Sequence, residues 1–361
     1  MRAGVIYLVL FLLAMVGISF IFSASTSGTM ALKQFVFFAA ASGLYWLLQW
    51  RHPKVQQWLT MTGPRALAAY AAMVLALLIV LVAGREINGA SRWISIGPVA
   101  LQPTELIRVL YLLFFAFLLE ATRRKFESQK WPESPAIVFM LVVVLLVYVE
   151  PDFGSAVLFT GVFAGMLLVA GLPVSRLLLY AVIAGLGLSL TLAGADYRSR
   201  RLEAYKDPWK HRYDAGYQTT SSYEALGTGN WLGVGYRQGT HKGARLPEAH
   251  NDYILAVIGE ERGFVMLVIV IGMYVALGYL IYRRTARHLR GWQQLYGVGV
   301  LLMLGGAVVM NLFVVTGLLP SKGIALPMVS SGGSSLIGFM AMMGLFARFA
   351  DGKQPLGTGQ S

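Results

Sequence analysis

Long runs without a charged residue constrain this chain more than any other feature of its sequence. A helix needs about 20 residues to cross the hydrocarbon core of a membrane, and shorter runs are extended by their flanks. Nine runs have no charged residue: 4–22, 35–50, 66–83, 135–149, 153–175, 177–195, 264–282, 291–320 and 323–347. A tenth run, 106–119, is interrupted only by Arg108. The pattern predicts an all-α polytopic membrane protein with ten transmembrane helices.

The composition supports the same class. The 361 residues are 57% hydrophobic and 13% charged, whereas a soluble domain carries roughly a quarter charged residues. Neither an internal repeat nor a separate soluble domain is visible in the sequence. We therefore expect a single transmembrane domain over 1–350 and a short cytoplasmic tail over 351–361.

The basic residues are arranged as membrane topology requires, which argues against a nucleic-acid partner for the net charge of +13. Short loops rich in lysine and arginine stay in the cytoplasm, whereas long loops cross regardless of charge. Both termini are then cytoplasmic, and one long loop, about 195–263, lies outside between helices seven and eight. The three basic loops contain Arg51, Lys54 and Arg65; Arg123, Arg124, Lys125 and Lys130; and Arg283, Arg284, Arg287 and Arg290.

Missing motifs argue against several kinds of site. The chain has no cysteine, so thiolate metal sites and disulfides are excluded. Its five histidines are scattered, and neither a His-Glu-x-x-His helix nor a Walker phosphate loop occurs. Zinc-dependent hydrolysis and nucleotide hydrolysis are therefore not expected.

Polar residues at the predicted external helix ends indicate a pocket at the outer membrane surface. Glu105 and Arg108 are three residues apart, hence on one helical face. The serines and glycines of 330–335 open the last helix, where free backbone N–H groups favour an anion. The candidate substrate-binding residues in these segments are Arg92, Glu105, Arg108, Asp152, Lys322 and Ser334.

Each of these residues also has a simpler interpretation. Glu105 and Arg108 could form a buried ion pair that satisfies only itself. Asp152 could be an ordinary N-terminal helix charge, and the serines could allow close packing of helices. The sequence alone leaves these alternatives open.

Asp252, near the end of the long loop, is the candidate catalytic residue. Pro247 suggests a helix start that would place Glu248 and Asp252 one turn apart on one face. Two carboxylates that close would raise the pKa of one of them toward neutrality, as a general base requires. The alternative is a solvated loop acid, or one paired with Arg245 or Arg262. Taken alone, the residues fit either an enzyme acting on a lipid-linked phosphate or a transporter.

Several motifs in order resemble the SEDS family (shape, elongation, division and sporulation), most closely its rod-shape branch. The resemblance spans nearly the whole chain. The matching segments are Asn88-Gly-Ala-Ser-Arg-Trp-Ile94, Gln102-Pro-Thr-Glu105, Pro151-Asp-Phe-Gly-Ser155, Gly216-Tyr-Gln218, Leu246-Pro-Glu-Ala-His-Asn-Asp-Tyr253, Gly259-Glu-Glu261 and Leu326-Pro-Met-Val-Ser-Ser-Gly-Gly-Ser-Ser335.

The resemblance implies a peptidoglycan glycosyltransferase that polymerises lipid II for cell elongation and rod shape. The growing glycan on undecaprenyl diphosphate is the donor, and Asp252 matches the essential acid of the family. Arg108 stands where a lysine is usual, Lys322 where threonine is common and Ser331 where many members have tyrosine. A one-step displacement at the anomeric carbon would invert its configuration.

The resemblance also implies partners: a class B penicillin-binding protein with the elongation machinery. A divalent cation, Mg or Mn, bridging the catalytic acid and the diphosphate is compatible with this chemistry. The alternative function is a lipid II flippase, which would use membrane-embedded charges as a path. The charges here cluster toward one side, which favours the enzyme.

Overall fold

The computed structural model describes residues 3–25, 28–50, 61–87, 90–97, 99–123, 125, 130–192, 205–214, 216–242, 246, 249–320 and 324–351. Helices account for most of them. In chain order they are α1 Ala3–Ala24, α2 Thr29–Gln49, α3 Gly63–Ala83, α4 Pro103–Leu106, α5 Arg108–Arg123, α6 Ser134–Val149, α7 Phe153–Ala170, α8 Val174–Leu192, α9 Tyr217–Gly229, α10 Ile254–His288, α11 Gly291–Val315 and α12 Gly333–Asp351.

Seven of these helices are long and apolar enough to cross a membrane: α1, α2, α3, α7, α10, α11 and α12. Two shorter apolar stretches, Ser134–Val149 and Val174–Ile183, accompany them. Large apolar side chains such as Val82, Val275 and Leu32 point outward, being 90%, 66% and 63% exposed. Such a surface is stable only against lipid. The multi-pass class is confirmed, whereas the count of ten spans and the side on which the long loop lies stay predictions.

Small residues let the helices approach closely. A Cβ at Gly17 of α1 would lie 2.5 Å from the carbonyl oxygen of Val329, and one at Gly338 of α12 would lie 2.3 Å from that of Glu105. Close backbone contact at small residues is how helices pack in lipid, where water does not drive association. α12 is thereby packed against α1, α2 and α4.

The segment between α3 and α4 corrects the all-α prediction. It forms a three-stranded antiparallel sheet of β1 Arg85–Ile87, β2 Ala90–Ile96 and β3 Val99–Leu101, in the order β1-β2-β3. The register pairs Arg85 with Trp93 and Ile94 with Leu101. Its strands are only three to seven residues long, so their alternation was too brief to recognise in the sequence. The sheet contacts α3 and α4 and so carries Arg92 toward the start of α4.

The long loop also contains more helix than the sequence predicted. α9 lies within it, and α10 begins at Ile254 rather than near 264. α10 is interrupted at Gly263, whose φ of 71° and ψ of −174° are not helical. A broken helix leaves backbone N–H and C=O groups without partners.

Residues 230–235 supply those partners. The amides of Phe264 and Val265 donate to the carbonyls of Asn230 and Trp231 at 2.9 and 3.2 Å. In return, the amides of Val234 and Gly235 donate to the carbonyls of Glu260 and Glu261 at 2.9 and 3.0 Å. The loop is thus inserted into the break, and residues 254–262 form a short helical segment joined to it.

At the other end of the bundle, the first and last helices are joined. The Asp351 carboxylate accepts a hydrogen bond from the backbone N–H of Ala3 at 2.8 Å and pairs with Arg284 at 3.2 Å. The Tyr45 hydroxyl donates to the Ala3 carbonyl at 2.9 Å. The two ends of the described bundle therefore lie on the same side, as an even number of spans requires.

Candidate active site

Five of the predicted site residues meet around the start of α4. Pro103 occupies the first helical turn and Glu105 follows it, as the sequence predicted. The five residues are Arg92, Glu105, Arg108, Asp152 and Ser334, and we call them, with Glu150, the polar cluster. They come from β2, α4, α5, the α6–α7 connection and α12, so the fold brings together positions up to 242 residues apart.

Glu105 and Arg108 form a buried ion pair. The Arg108 Nη2 atom lies 2.5 Å from Glu105 Oε1, and the two side chains are only 3% and 8% exposed. The second Glu105 oxygen and the Arg108 Nε atom are buried without a hydrogen-bond partner among the described residues. The pair therefore retains one acceptor and one donor for another group, so the ion-pair interpretation and a substrate role are compatible.

Asp152 is the N-cap of α7. Its carboxylate accepts hydrogen bonds from the Ser155 amide at 3.2 Å and the Ser155 hydroxyl at 2.8 Å. This capping satisfies donors that the helix start would leave free. The Gln102 side chain donates at 3.4 Å to Asp152 Oδ2, the oxygen that also accepts from the Ser155 hydroxyl. The ordinary N-terminal role proposed for Asp152 is thus observed, while a role toward substrate stays a prediction.

Arg92 fixes the turn between α6 and α7. Its Nε donates to the carbonyl oxygen of Glu150 at 3.1 Å, and its Nη2 donates to that of Pro151. The third nitrogen lies 3.9 Å from Asp152, with the Arg92 side chain 24% exposed. Arg92 is therefore the most accessible cation of the polar cluster and is directed toward its carboxylates.

Ser334 joins the last helix to this group. Its hydroxyl accepts a hydrogen bond from the backbone N–H of Gln102 at 2.9 Å. Since Gln102 also reaches Asp152, one residue connects α12 to α7. The sequence singled out Ser334 but not Gln102, although Gln102 lies in the same motif.

Asp252 lies in a turn that precedes α10, half-buried. The turn is held through its backbone. Asn311, buried within α11, donates to the Asp252 carbonyl oxygen at 3.0 Å and to that of Ile324 at 3.0 Å. The Ser330 hydroxyl donates to the Asn251 carbonyl at 2.6 Å, and the Ser331 amide to that of His250 at 2.9 Å. The start of α12 therefore contacts both the Asp252 turn and the polar cluster.

The turn corrects one prediction about Asp252. A helix from Pro247 was expected to place Glu248 and Asp252 on one face, but 249–253 form turns and α10 begins only at Ile254. The short turn before Tyr253 satisfies its carbonyls through Asn311 and Ser330 instead. Glu248 and Lys322 lie outside the described residues.

Glu260 and Glu261 anchor the inserted loop. Glu260 accepts hydrogen bonds from the backbone amides of Thr240 and His241 at 2.7 and 3.1 Å. Glu261 pairs with Lys242 at 2.6 Å and accepts from the Ser23 hydroxyl at 2.6 Å. Both carboxylates are nearly inaccessible. Their hydrogen bonds and ion pair hold the loop against α1 and α10.

Glu150 differs from the other buried acids. Its side chain has no exposure, and neither carboxylate oxygen has a hydrogen-bond partner among the described residues. Burial raises the pKa of Glu150 to about 8, and the nearby Asp152 carboxylate adds to the shift, while Arg92 opposes it. Glu150 could not be singled out from the sequence, because an acid beside proline looks like an ordinary helix-start charge.

Two buried amides were also missed. Gln34 of α2 donates to the Ser330 carbonyl at 3.0 Å and accepts from the Gly332 amide at 3.0 Å. Gln34 and Asn311 are isolated polar residues near or within apolar runs. That is itself a signal, because polar groups within the membrane need partners.

The grouping of acidic and histidine side chains bears on whether the site could bind a metal ion. Within the described ranges, no three Asp, Glu, His or Cys side chains converge as metal ligands. Within the polar cluster, Glu105 pairs with Arg108, and Asp152 lies near Arg92 and caps α7. A cation held between Asp252 and a substrate diphosphate would not need such a group; it stays a prediction, and we derive no step through a metal ion.

Fold and site together define a class: a multi-pass helical membrane protein with a charged cluster gathered where several helices begin. The sequence matches the FtsW/RodA/SpoVE family model, described as a cell cycle protein, over residues 3–354. The chain belongs to this SEDS family and is a multi-pass protein of the bacterial cytoplasmic membrane.

Curated relatives support the family assignment. A probable peptidoglycan glycosyltransferase FtsW from Geobacter sp. (strain M18) is 34% identical over 338 residues, which is 91% of each chain. A protein of the same name from Saccharophagus degradans is 37% identical over 273 residues, covering 73% of this chain and 69% of that protein.

Solved structures share the fold. A chain from work on the structural coordination of polymerization and crosslinking by a peptidoglycan synthase complex matches with a TM-score of 0.81 at 28% identity, covering 96% of both chains. The crystal structure of the Thermus thermophilus rod shape determining protein RodA matches with a TM-score of 0.71 at 27% identity, covering 96% and 95%. The rod-shape branch is thus represented among the structures, whereas these curated relatives carry the FtsW name.

Proposed function

We propose that the protein is a peptidoglycan glycosyltransferase that polymerises lipid II at the outer face of the cytoplasmic membrane. Family membership and the names of the curated relatives support the reaction class. The observation that carries the proposal is the placement of Asp252. It lies in a turn fixed by buried Asn311 and by Ser330, at the helix start that also contacts the polar cluster.

In the proposed reaction, Asp252 is the general base. The 4-hydroxyl of the incoming lipid II sugar attacks the anomeric carbon of the growing glycan. The carboxylate takes the hydroxyl proton, a new C–O bond forms, and the bond to undecaprenyl diphosphate breaks with its electron pair on the leaving oxygen. The turn itself is anchored at the backbone carbonyls of Asp252 and Asn251, which accept hydrogen bonds from Asn311 and Ser330. A single displacement inverts the anomeric configuration.

Positive groups near the leaving diphosphate would stabilise its developing charge. Arg92 is the accessible cation of the polar cluster, and Arg108 is held in place by Glu105. Asp152 caps the start of α7, and Ser334 joins the start of α12 to Gln102. In this proposal Lys322 and Glu248, which the sequence places near the outer membrane surface and near Asp252, also contact the substrate.

The proposed partner is a class B penicillin-binding protein, which would crosslink the strands that this protein makes. The fold similarity to a chain of a peptidoglycan synthase complex supports such a pairing. Copurification of the two full-length proteins from membranes, followed by a polymerisation assay with and without the partner, tests it. A partner that neither binds nor changes the rate would contradict the proposal.

The cellular process divides into two hypotheses. The resemblance to the rod-shape branch predicts elongation together with the elongation machinery, whereas the FtsW names of the curated relatives favour division. Depletion of the protein separates them, because loss of elongation gives round cells and loss of division gives filaments.

The reaction itself is tested with purified protein, its partner and labelled lipid II. Asp252→Ala is expected to abolish glycan synthesis, with the anomeric configuration of wild-type product read by NMR. Asp207→Ala is the matched control, since Asp207 is an exposed acid of the same long loop. Equal glycan synthesis by both variants would contradict the assignment of Asp252. Lipid II scrambling in vesicles without polymer under any condition would instead favour the flippase.

A further inference from the structure

Glu150 ends α6 and faces the interior of the polar cluster. Its backbone N–H continues the helix by donating to the Leu146 carbonyl at 3.1 Å, and its own carbonyl accepts from Arg92. The carboxyl group is fully buried. Thr104 lies beside it, but the Thr104 hydroxyl and the carboxyl do not form a hydrogen bond of normal geometry. A buried carboxylate in such a place has lost its water without gaining a donor.

A second buried glutamate, Glu133, lies at the opposite end of α6 and has the hydrogen-bond donors that Glu150 lacks. Glu133 is also without exposure, yet it accepts from Arg176 at 3.2 Å and from the Tyr180 hydroxyl at 2.8 Å. These donors compensate its charge. Glu150 has no equivalent among the described residues, so the two ends of α6 place the same residue type in opposite environments.

The charged groups around Glu150 do not compensate it. Asp152, at the start of α7, carries a like charge. Arg92, on β2, is the facing cation, but its Nε and Nη2 donate to the carbonyls of Glu150 and Pro151, and it lies 3.9 Å from Asp152. Thr104, on α4, is uncharged. Burial and Asp152 together raise the pKa of Glu150 to about 8, which agrees with this geometry.

We propose that Glu150 keeps its carboxyl proton at neutral pH and, as a positioning residue, allows the polar cluster to accept the diphosphate of a lipid-linked substrate. The inference rests on the proposed function. The cluster holds two arginines, Arg92 and Arg108, and three acids, Glu105, Glu150 and Asp152. With all three acids ionised, two positive and three negative charges leave a net charge of −1. With Glu150 protonated, the net charge is zero and an anion is no longer repelled.

The neutral form of Glu150 also supplies an O–H donor, which the ionised form lacks. An anionic phosphate oxygen is a stronger acceptor for such a donor than a neutral group is. Ionisation of Glu150 removes this donor and adds the repelling charge at the same time. The affinity for a diphosphate should therefore fall as the pH rises through about 8.

The test compares wild type with Glu150→Gln, the neutral isostere, in nanodiscs with undecaprenyl diphosphate as the probe. If only the protonated form binds, wild-type affinity falls about tenfold between pH 7 and pH 9. The ratio of Glu150→Gln affinity to wild-type affinity should rise by the same factor, since titration of the probe and of other residues cancels in it. A ratio that stays constant with pH would overturn the proposal.

Infrared spectroscopy supplies a readout that does not depend on binding. The wild-type minus Glu150→Gln difference spectrum should show the band of a protonated carboxylic acid at pH 7 and lose it by pH 9. Glu133→Gln is the matched control and should show only the loss of an ionised carboxylate. No protonated band for Glu150 at pH 7 would refute the inference. If Glu150→Gln does not fold, titration of the wild-type band decides, with a midpoint near pH 8 expected.

These arms are separate from the test of the proposed function. Wild-type protein that binds undecaprenyl diphosphate with the expected pH dependence but makes no glycan from lipid II would contradict the glycosyltransferase and leave the Glu150 inference standing. If instead glycan is made and the KM for lipid II is independent of pH in both wild type and Glu150→Gln, the glycosyltransferase proposal stands and the Glu150 inference is contradicted.

Discussion

Asn311 offers the sharpest test of how the Asp252 turn is held. The residue is buried within α11, and one side-chain amide donates to two carbonyls, those of Asp252 and Ile324, at 3.0 Å each. Asn311→Leu has a similar volume, so it removes both hydrogen bonds without opening a large cavity. The Asp252 carbonyl belongs to a half-buried residue and can regain water, whereas Ile324 is only 1% exposed.

The expected cost follows from that difference. Side-chain hydrogen bonds in membrane proteins contribute about 0.6 kcal/mol on average and up to about 1.7 kcal/mol. Two bonds, one of them to a carbonyl that stays dry, therefore give a loss of about 1 to 3 kcal/mol in the free energy of unfolding. The effect on catalysis should be larger, because misplacement of a catalytic group by about 1 Å can lower the rate by about 10²-fold.

The assay pairs unfolding by sodium dodecyl sulfate in mixed micelles with lipid II polymerisation. Val309→Ala is the control, since Val309 lies on the same helix but is 46% exposed to lipid. We expect Asn311→Leu to remain folded at assay temperature and to lose most of its activity, while Val309→Ala keeps it. Wild-type activity in Asn311→Leu would refute the view that Asn311 positions the Asp252 turn.

Three further substitutions test other parts of the structure. Gly263→Ala places a Cβ 2.3 Å from the Trp231 carbonyl at a φ of 71°, so it should lower the free energy of unfolding by more than about 1 kcal/mol; unchanged stability would contradict the inserted loop. Arg108→Ala should reduce polymerisation more than Arg108→Lys, because lysine keeps the charge beside Glu105; equal loss would leave Arg108 a packing role. Glu133→Gln should cost about 2 kcal/mol in denaturant unfolding, less than the about 3–5 kcal/mol of a fully buried pair, because Arg176 is 26% exposed; no loss would mean that the pair is not ionic.

Local patterns in the sequence predicted those parts of the site that depend on neighbouring residues. The spacing of Glu105 and Arg108 predicts a shared helical face, and the structure pairs them at 2.5 Å. Pro103 and Asp152 likewise mark helix starts, because proline and a capping acid act within one turn. Their roles toward substrate are not settled by that placement and stay predictions.

Contacts between distant segments could not be predicted in the same way. Asn311 reaches the Asp252 turn across 59 residues, and Gln34 reaches Ser330 across 296. The break at Gly263 could not be predicted, because backbone groups on either side of it are satisfied by residues 230–235, which lie far away in the sequence. Pairing of strands 85–101 depends on register between short segments, which hydropathy does not encode.

The join between the first and last helices has a consequence for how the protein is made. Asp351, near the end of the described chain, binds the first amide of α1, and α12 packs along α2. Helices inserted early must therefore remain side by side in the membrane, with incomplete neighbours, until the last one emerges from the ribosome. The packing of α1 and α2 is therefore completed only once α12 has been made, so a chain that lacks α12 would leave these two helices without this partner.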